Sequence, residues 1–599
     1  MSVLETPRII FGGNISWDPI VTNNYPTLYD EATCWTKFEP NETVEQFRQA
    51  AASEDWVINN GNWNPQGTHR SVFYDAYISG VDLGSGVEKQ DAFVSSPVYF
   101  EGMLVDCEPY GGYTSQLFFD EMSLGIDGGC RIFAPRTSRF TARYINFKRL
   151  PGSVYGFAAS VASVVWQSSF AKSDGLRIDA HDSDALKALA DALEDDDVLG
   201  LTVQFNAYAT HYYGAETDSE IPAREQELVK KLAGGGFQPN PARSKIVGVA
   251  GIWRKGEPAH EPADRALLPQ PTAQFYVGAA HARMDGDTLT VDLSNSVSET
   301  DLQGTKQNLG PLTFQAKGNN GSVSLGTIDY NQYNRDAYLS TAGIVTLKLD
   351  GDQVAAAKSG ILQMTGSATS QIAGAGIFLE EKPLRAIPSD PNLYINFGES
   401  TTTDVLVLNK GVPAGKGIKV VMELDGSSVA QSTSADTNDD SIATFKVTGA
   451  KGQVQGFMLK PNPDGSEPKS INTQLTTYMY IRTYPGNNTI AELEPTWENV
   501  YKYCLSNWNA MAPCMDNWLD LKNEAQVKAY AKILKKLTDP ANFESYRFMP
   551  VTRDMTQDER SLLYRFLDGD GEKLAELEAA PVEEAVSQAE LSRKMRQAK

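Results

Sequence analysis

Three carboxylates stand in a row at Asp195, Asp196 and Asp197, and an apolar run comes directly after them. Oxygen ligands of this kind suit divalent cations, so the triplet is a candidate metal site. It lacks the spaced ligands of a calcium loop, and the competing reading is an acidic turn between a helix and a strand. A second group is aromatic and polar. Trp63, His69 and Arg70 share one loop, and His211 and Tyr212 open a long polar segment. If the two loops meet at one end of a β-sandwich, they form a ligand pocket for a flat or sugar-like molecule. The competing reading is two unrelated surface loops.

Other chemistry finds little support. Glu257 and His260 have ExxH spacing, but Pro258 and Pro262 argue against the helix that such a metal motif needs. The histidines are scattered. Asp568-Gly-Asp-Gly-Glu572 echoes a calcium loop but carries Lys573 where glycine is required. Gly374-Ala-Gly376 lacks the third glycine of a dinucleotide turn, and there is no nucleophile elbow or P-loop. Cys34 and Cys107 are candidate nucleophiles, against the default of buried inert thiols. The sequence names no catalytic residue and no resident cofactor, and whether the chain is itself an enzyme stays open.

The elements that must carry these residues are mostly strands. Leu199, Leu201, Val203 and Phe205 alternate with Gly200, Thr202 and Gln204, which is the period of a strand. Val247, Val249 and Gly251 alternate likewise. The spacing predicts a helix over Asp184–Leu193, capped by Ser183. Residues 206–244 between the two strands read as a surface insertion. Upstream, Val72–Ile78, Val98–Asp106, Arg131–Phe133 and Phe140–Phe147 are strands at the spacing of a sandwich or barrel. Lys382 to Pro391 reads as a linker, and Asn523–Leu537 as one amphipathic helix.

The expected fold is mainly β: tandem β-sandwich-like domains with a small helical region at the C-terminal end. The expected units are a β-rich domain over 1–270, a second over 271–388 and an immunoglobulin-like sandwich over 389–490. A helical region over 495–570 and a charged tail over 571–599, flexible or partner-docking, complete the chain. A net charge of −23 would repel phosphate backbones, so nucleic acid is not an expected partner. Five widely spaced cysteines without a CxxC pair suit a reducing, cytoplasmic setting. No apolar stretch approaches the ~20 residues of a membrane span.

Several stretches resemble one family. Leu193-Glu-Asp-Asp-Asp-Val-Leu-Gly-Leu-Thr-Val-Gln-Phe205, Val247-Gly-Val-Ala-Gly-Ile-Trp-Arg-Lys-Gly-Glu257, Ser2–Phe11 and Tyr546-Arg-Phe-Met-Pro-Val-Thr-Arg-Asp554 resemble segments of the violacein- and rebeccamycin-type imino-acid dimer (chromopyrrolate) synthases. The resemblance implies oxidative coupling of two tryptophan-derived imines. It also implies a C-terminal ferritin-like domain associated with iron or heme. Ser587–Arg596 resembles the approach to that domain, but the stretch after Leu567 is too short for a four-helix bundle. The family's iron ligands therefore have no counterparts to carry over. The expectation is a non-metal scaffold or partner subunit in secondary metabolism, acting with a separate ferritin-like protein that bears iron or heme, or else a homo-oligomer. A carbohydrate- or ligand-binding module and an enzyme with its own site are the alternatives.

Overall fold

The run after Asp197 is a strand, Val198–Tyr212, paired antiparallel with Ala242–Arg254. Arg8–Trp17 lies on the other side of Ala242–Arg254, with Ile9 opposite Ala250. In the computed structural model these strands sit inside an eleven-stranded sheet. The structure describes residues 3–569 apart from 18–25, 27, 40, 54–69, 147–162, 213–217, 221–222, 224–225, 228–229, 231–241, 272, 274–276, 320, 368–375, 427–431, 513–514 and 516–517. The chain is mainly β, with about 45% of it in strands and 20% helical.

The large sheet closes on itself. From Gly111–Gly125 the order runs through Val98–Cys107, Arg70–Asp82, Arg8–Trp17, Ala242–Arg254, Val198–Tyr212, Ser163–Ala171 and Phe140–Asn146. Phe140–Asn146 then pairs back to Gly111–Gly125, Thr141 opposite Gln116. A ring of about eight strands has an interior that side chains can fill. Here rings fill it: Phe11, Trp17, Phe100, Phe119, Trp166 and Phe205 are all buried there. Trp17 and Trp166 meet edge to face at 5.9 Å. Gly248 is required by this crowding, since a Cβ would lie 2.1 Å from the Phe11 ring.

Leu201, Val203 and Phe205 point into the barrel. The opposite face of that strand is buried as well, because a second sheet covers it. Gln204 donates to Asp292 at 2.7 Å, and Asn206 donates to Ser294 O and the Tyr338 hydroxyl. That second sheet has eight strands, from Arg265–Pro269 to Gly376–Lys382, over its own apolar core. Next in the chain is a two-sheet sandwich, of four and five strands, packed around Val405, Val420, Phe445 and Met479. Helices from Asn488–Ala491 to Gln557–Asp568 close the described chain around Trp508, Val527 and Leu562.

Some elements differ from the sequence reading. The strands run further into the segment 206–244, to Tyr212 and from Ala242, because the barrel and the second sheet bury both faces. The stretch read as a linker holds a strand, Leu384–Pro388, paired with Ser400–Asn409. The single amphipathic helix is two, Glu524–Ala529 and Ala531–Thr538, broken at Tyr530. Among the described residues no helix is long and apolar enough to cross a membrane.

The three β units meet at one carboxylate. Glu261 is buried and pairs with Arg385 of the sandwich at 2.7 Å and with Arg143 of the barrel at 3.4 Å. The Tyr144 hydroxyl donates to Glu261 at 3.0 Å, and the Tyr144 ring meets His281 of the second sheet at 4.7 Å. Burial opposes charge on Glu261, yet the two guanidiniums hold its carboxyl below the usual range. Replacing it by glutamine takes from two buried guanidiniums the counter-charge they share. Glu261→Gln is expected to lower stability by about 3–5 kcal/mol. A denaturant midpoint equal to wild type would show that the clamp carries no such weight.

Candidate functional site

Asp195, Asp196 and Asp197 form the turn between helix Asp184–Leu193 and strand Val198–Tyr212. Asp195 accepts the Asp197 amide at 2.9 Å and pairs with Arg254 at 3.3 Å. That amide, then Arg254, hold its carboxyl below the usual range. Asp197 lies 3.7 Å from the same guanidinium, which also pairs with Glu5 at 3.0 Å. Among the described residues no three His, Cys, Asp or Glu side chains are placed to hold a metal ion.

Trp63 and His69 lie outside the described residues. Arg70 opens its strand and pairs with Glu101. His211 and Tyr212 end theirs, opposite Arg243 and Ala242. Ala242 also faces Trp17, and Ser16 faces Val72. This register puts Arg70 and Tyr212 on the same mouth of the barrel. Two strands separate them, a span of about 14 Å at the usual strand spacing. Burial pushes the Cys107 thiol up to about 12 and raises that of Cys34 as well, so neither is poised as a nucleophile.

A cleft lies at the other side of the sandwich, where the helices meet residues 30–45. Its volume is about 1130 Å³, enough for a bicyclic ligand. Trp35 and Phe38 line one wall, Tyr501 and Tyr503 the other, and Glu559 sits between the helix start and the opening. Tyr501 and Tyr503 belong to a π-helical turn, Tyr501–Leu505. Its wider winding leaves Cys504 and Leu505 buried in the helical core, and such turns recur at functional sites. Buried amides fix the walls to each other. Thr36 N donates to Asn507 at 2.9 Å and Asn507 donates to Cys34 O, while within the helical wall Asn509 donates to the Tyr501 hydroxyl at 2.8 Å.

Glu559 is the third residue of helix Gln557–Asp568 and completes a capping box. Its Oε2 accepts from Thr556 N at 2.7 Å and from the Thr556 hydroxyl at 2.9 Å. Such a carboxylate normally stays ionised beside a helix N-terminus. Burial, with Asp554 nearby, instead pushes it up to about 8. Its surroundings are tied down from below. Asp554 accepts from Tyr29 at 2.9 Å, Trp508 at 3.1 Å and Thr552 at 2.7 Å. Arg482 of the sandwich pairs with Glu31 at 2.7 Å and donates to Thr552 O. The neighbouring Arg553 lies 3.7 Å from the centre of the Phe118 ring of the barrel. The Tyr546–Asp554 segment thus joins barrel, sandwich and helices beneath the cleft.

Sequence reasoning passed over Glu559, although Thr556-x-x-Glu559 is a visible capping-box pattern. Nothing in the pattern tells a buried box from an exposed one. Trp35 and Tyr501 lie far apart in the chain and carry no local signal.

No family model matches the chain. Over 427 residues it is 24% identical to a 2-imino-3-(indol-3-yl)propanoate dimerase of Chromobacterium violaceum, a match that takes in 67% of this chain and 36% of that protein. The resemblance read from the sequence is borne out, and the chain spans only 36% of the length of the curated relative it matches. Among solved structures, the N-terminal four Ig domains of Dscam1 share 11% identity at a TM-score of 0.11, covering 29% of this chain and 38% of that one. The teleost fish polymeric Ig receptor ectodomain shares 12% identity at a TM-score of 0.14, covering 33% and 92%. At those scores neither bears on the fold or the function.

The buried acid has a consequence for stability. An unfolded glutamate loses its proton near 4.5, whereas folded Glu559 keeps it to about 8. Between those values the folded state holds the extra proton, so stability falls as pH rises, by about 1.4 kcal/mol per unit. Below that window the contribution is complete, and above it the loss levels off. Glu559→Gln preserves the cap and removes the titration. The variant is expected to match wild type near pH 4.5 and to melt higher at pH 8. Parallel melting profiles for the two proteins would contradict a buried, protonated Glu559.

Proposed function

We propose that the chain is a β-rich scaffold subunit in the oxidative coupling of aromatic imino acids, working with a ferritin-like partner that carries the metal. The supporting observation is where the resembling segments lie. Ser2–Phe11, Leu193–Phe205 and Val247–Glu257 contribute three adjacent strands, with Ala250 opposite Ile9 on one side and Val203 on the other. Tyr546–Asp554 ties that barrel to the sandwich and the helices. The stretches that resemble the dimer synthases therefore lie in the interior that sets domain arrangement. The dimerase it matches acts on an indole-bearing imine, which gives the substrate class proposed for the coupled system. The division of labour is that the partner supplies redox chemistry and this chain supplies geometry.

The charged stretch from Glu572 is the candidate docking element; it lies outside the described residues. Reconstitution with a ferritin-like protein encoded beside this chain tests the reading. The pair is expected to form a stable complex and to turn the imine of indole-3-pyruvate into a dimeric product, with neither protein sufficient alone. Deleting residues 572–599 is expected to weaken the complex at least tenfold. A chain that stays alone in gel filtration with that protein, and adds nothing to its turnover, overturns the proposal.

A further inference from the structure

We propose that the cleft between residues 30–45 and the π-helical turn Tyr501–Leu505 is a binding site for a flat aromatic amine or iminium cation, with the Glu559 carboxyl as its polar anchor. Four rings, from Trp35, Phe38, Tyr501 and Tyr503, offer stacking and edge contacts. Trp35 stands on the second strand of a two-strand hairpin, Phe38 just after it, and the two tyrosines on a helical turn, so the slot lies between separate elements. The volume, about 1130 Å³, accommodates a bicyclic ring with its side chain.

The polar lining selects the sign of the ligand's charge. Asp30, Glu39, Glu42 and Glu45 line the cleft beside Glu559, against only Lys37 and Lys502 among its described lining residues. Lys37 donates to Pro26 O at 2.5 Å, and the Lys502 ammonium lies 4.9 Å from the centre of the Tyr503 ring. An organic anion would meet this excess of carboxylates, whereas a cation is stabilised by them and by the ring faces. Glu559 is the deepest of these acids, 2% exposed. Its Oε2 is committed to the helix cap, and the residue lines the cleft. A buried neutral acid that meets an ammonium or iminium gives up its proton to solvent and becomes the counter-ion. The proton leaves, the carboxylate stays, and no bond to the ligand forms.

Titration of the full chain with tryptamine by calorimetry at pH 7, in two buffers of different ionisation enthalpy, tests the site. Saturable binding with release of close to one proton is expected. Indole-3-acetate is expected to bind at least tenfold more weakly. Glu559→Gln, which keeps the cap, is expected to weaken tryptamine at least tenfold and to abolish proton release. Trp35→Leu is expected to weaken binding while leaving proton release intact. Equal tryptamine affinity in Glu559→Gln, equal affinity for indole-3-acetate, or no saturable binding each overturns the inference. The titration needs no second protein, so its outcome is independent of the scaffold role proposed above.

Discussion

Glu261 is the point on which the arrangement of the β units depends. It is a buried carboxylate that two guanidiniums reach from different units, Arg143 from the barrel and Arg385 from the sandwich. A charge in such a place is tolerated only with its partners in position. The sequence between barrel and second sheet is therefore held to one path, since residue 261 must arrive where both arginines converge. Arg385 fixes that path further by donating to Pro262 O at 2.8 Å and Asp264 O at 2.9 Å. Apolar faces would let the units slide; directional polar contacts set one register.

The same principle recurs at the other junctions. The outer face of Val198–Tyr212 meets the second sheet through Gln204 and Asn206, and both find specific partners there. The helices meet the hairpin at Tyr29 through Asp554 and the sandwich through Arg482, each with several partners. Apolar burial provides the bulk of the driving force inside each unit and also crosses the seams, where Tyr208 and Val249 pack on Tyr338 and Ile344, while directional polar contacts at those seams set the register. The cleft inherits its shape from one of these seams. Its walls come from residues 30–45 and from the turn after Trp497, and Asn507 bridges them.

Much of the local structure was legible in the sequence. Leu186, Leu189 and Leu193 at helical spacing after Ser183 give the helix Asp184–Leu193, and Ser183 accepts the Leu186 amide as its cap. The alternation through Leu201, Val203 and Phe205 gives a strand whose apolar face fills a core. The resembling segments gave the likeness to an imino-acid dimerase that the comparison bears out. The acidic triplet shows where local reading stops. Asp195 and Asp197 share Arg254, which arrives from the far end of the neighbouring strand. For Trp63 and His69, the register fixes only the barrel mouth from which Arg70's strand departs.

The sequence by itself therefore determined the strand-rich character, the individual amphipathic elements and the family resemblance, because each is written in residues close together in the chain. Tertiary structure decided the closure of the barrel, the burial of Glu261 and the making of the cleft. Closure requires Gln116 to face Thr141, and no local period specifies which strands end a sheet. Whether Glu559 is a surface cap or a buried acid depends on what packs over it from residues 30–45 and 485–506. Local pattern fixes which face of an element is apolar; only the packed chain fixes what that face, or its polar opposite, is pressed against.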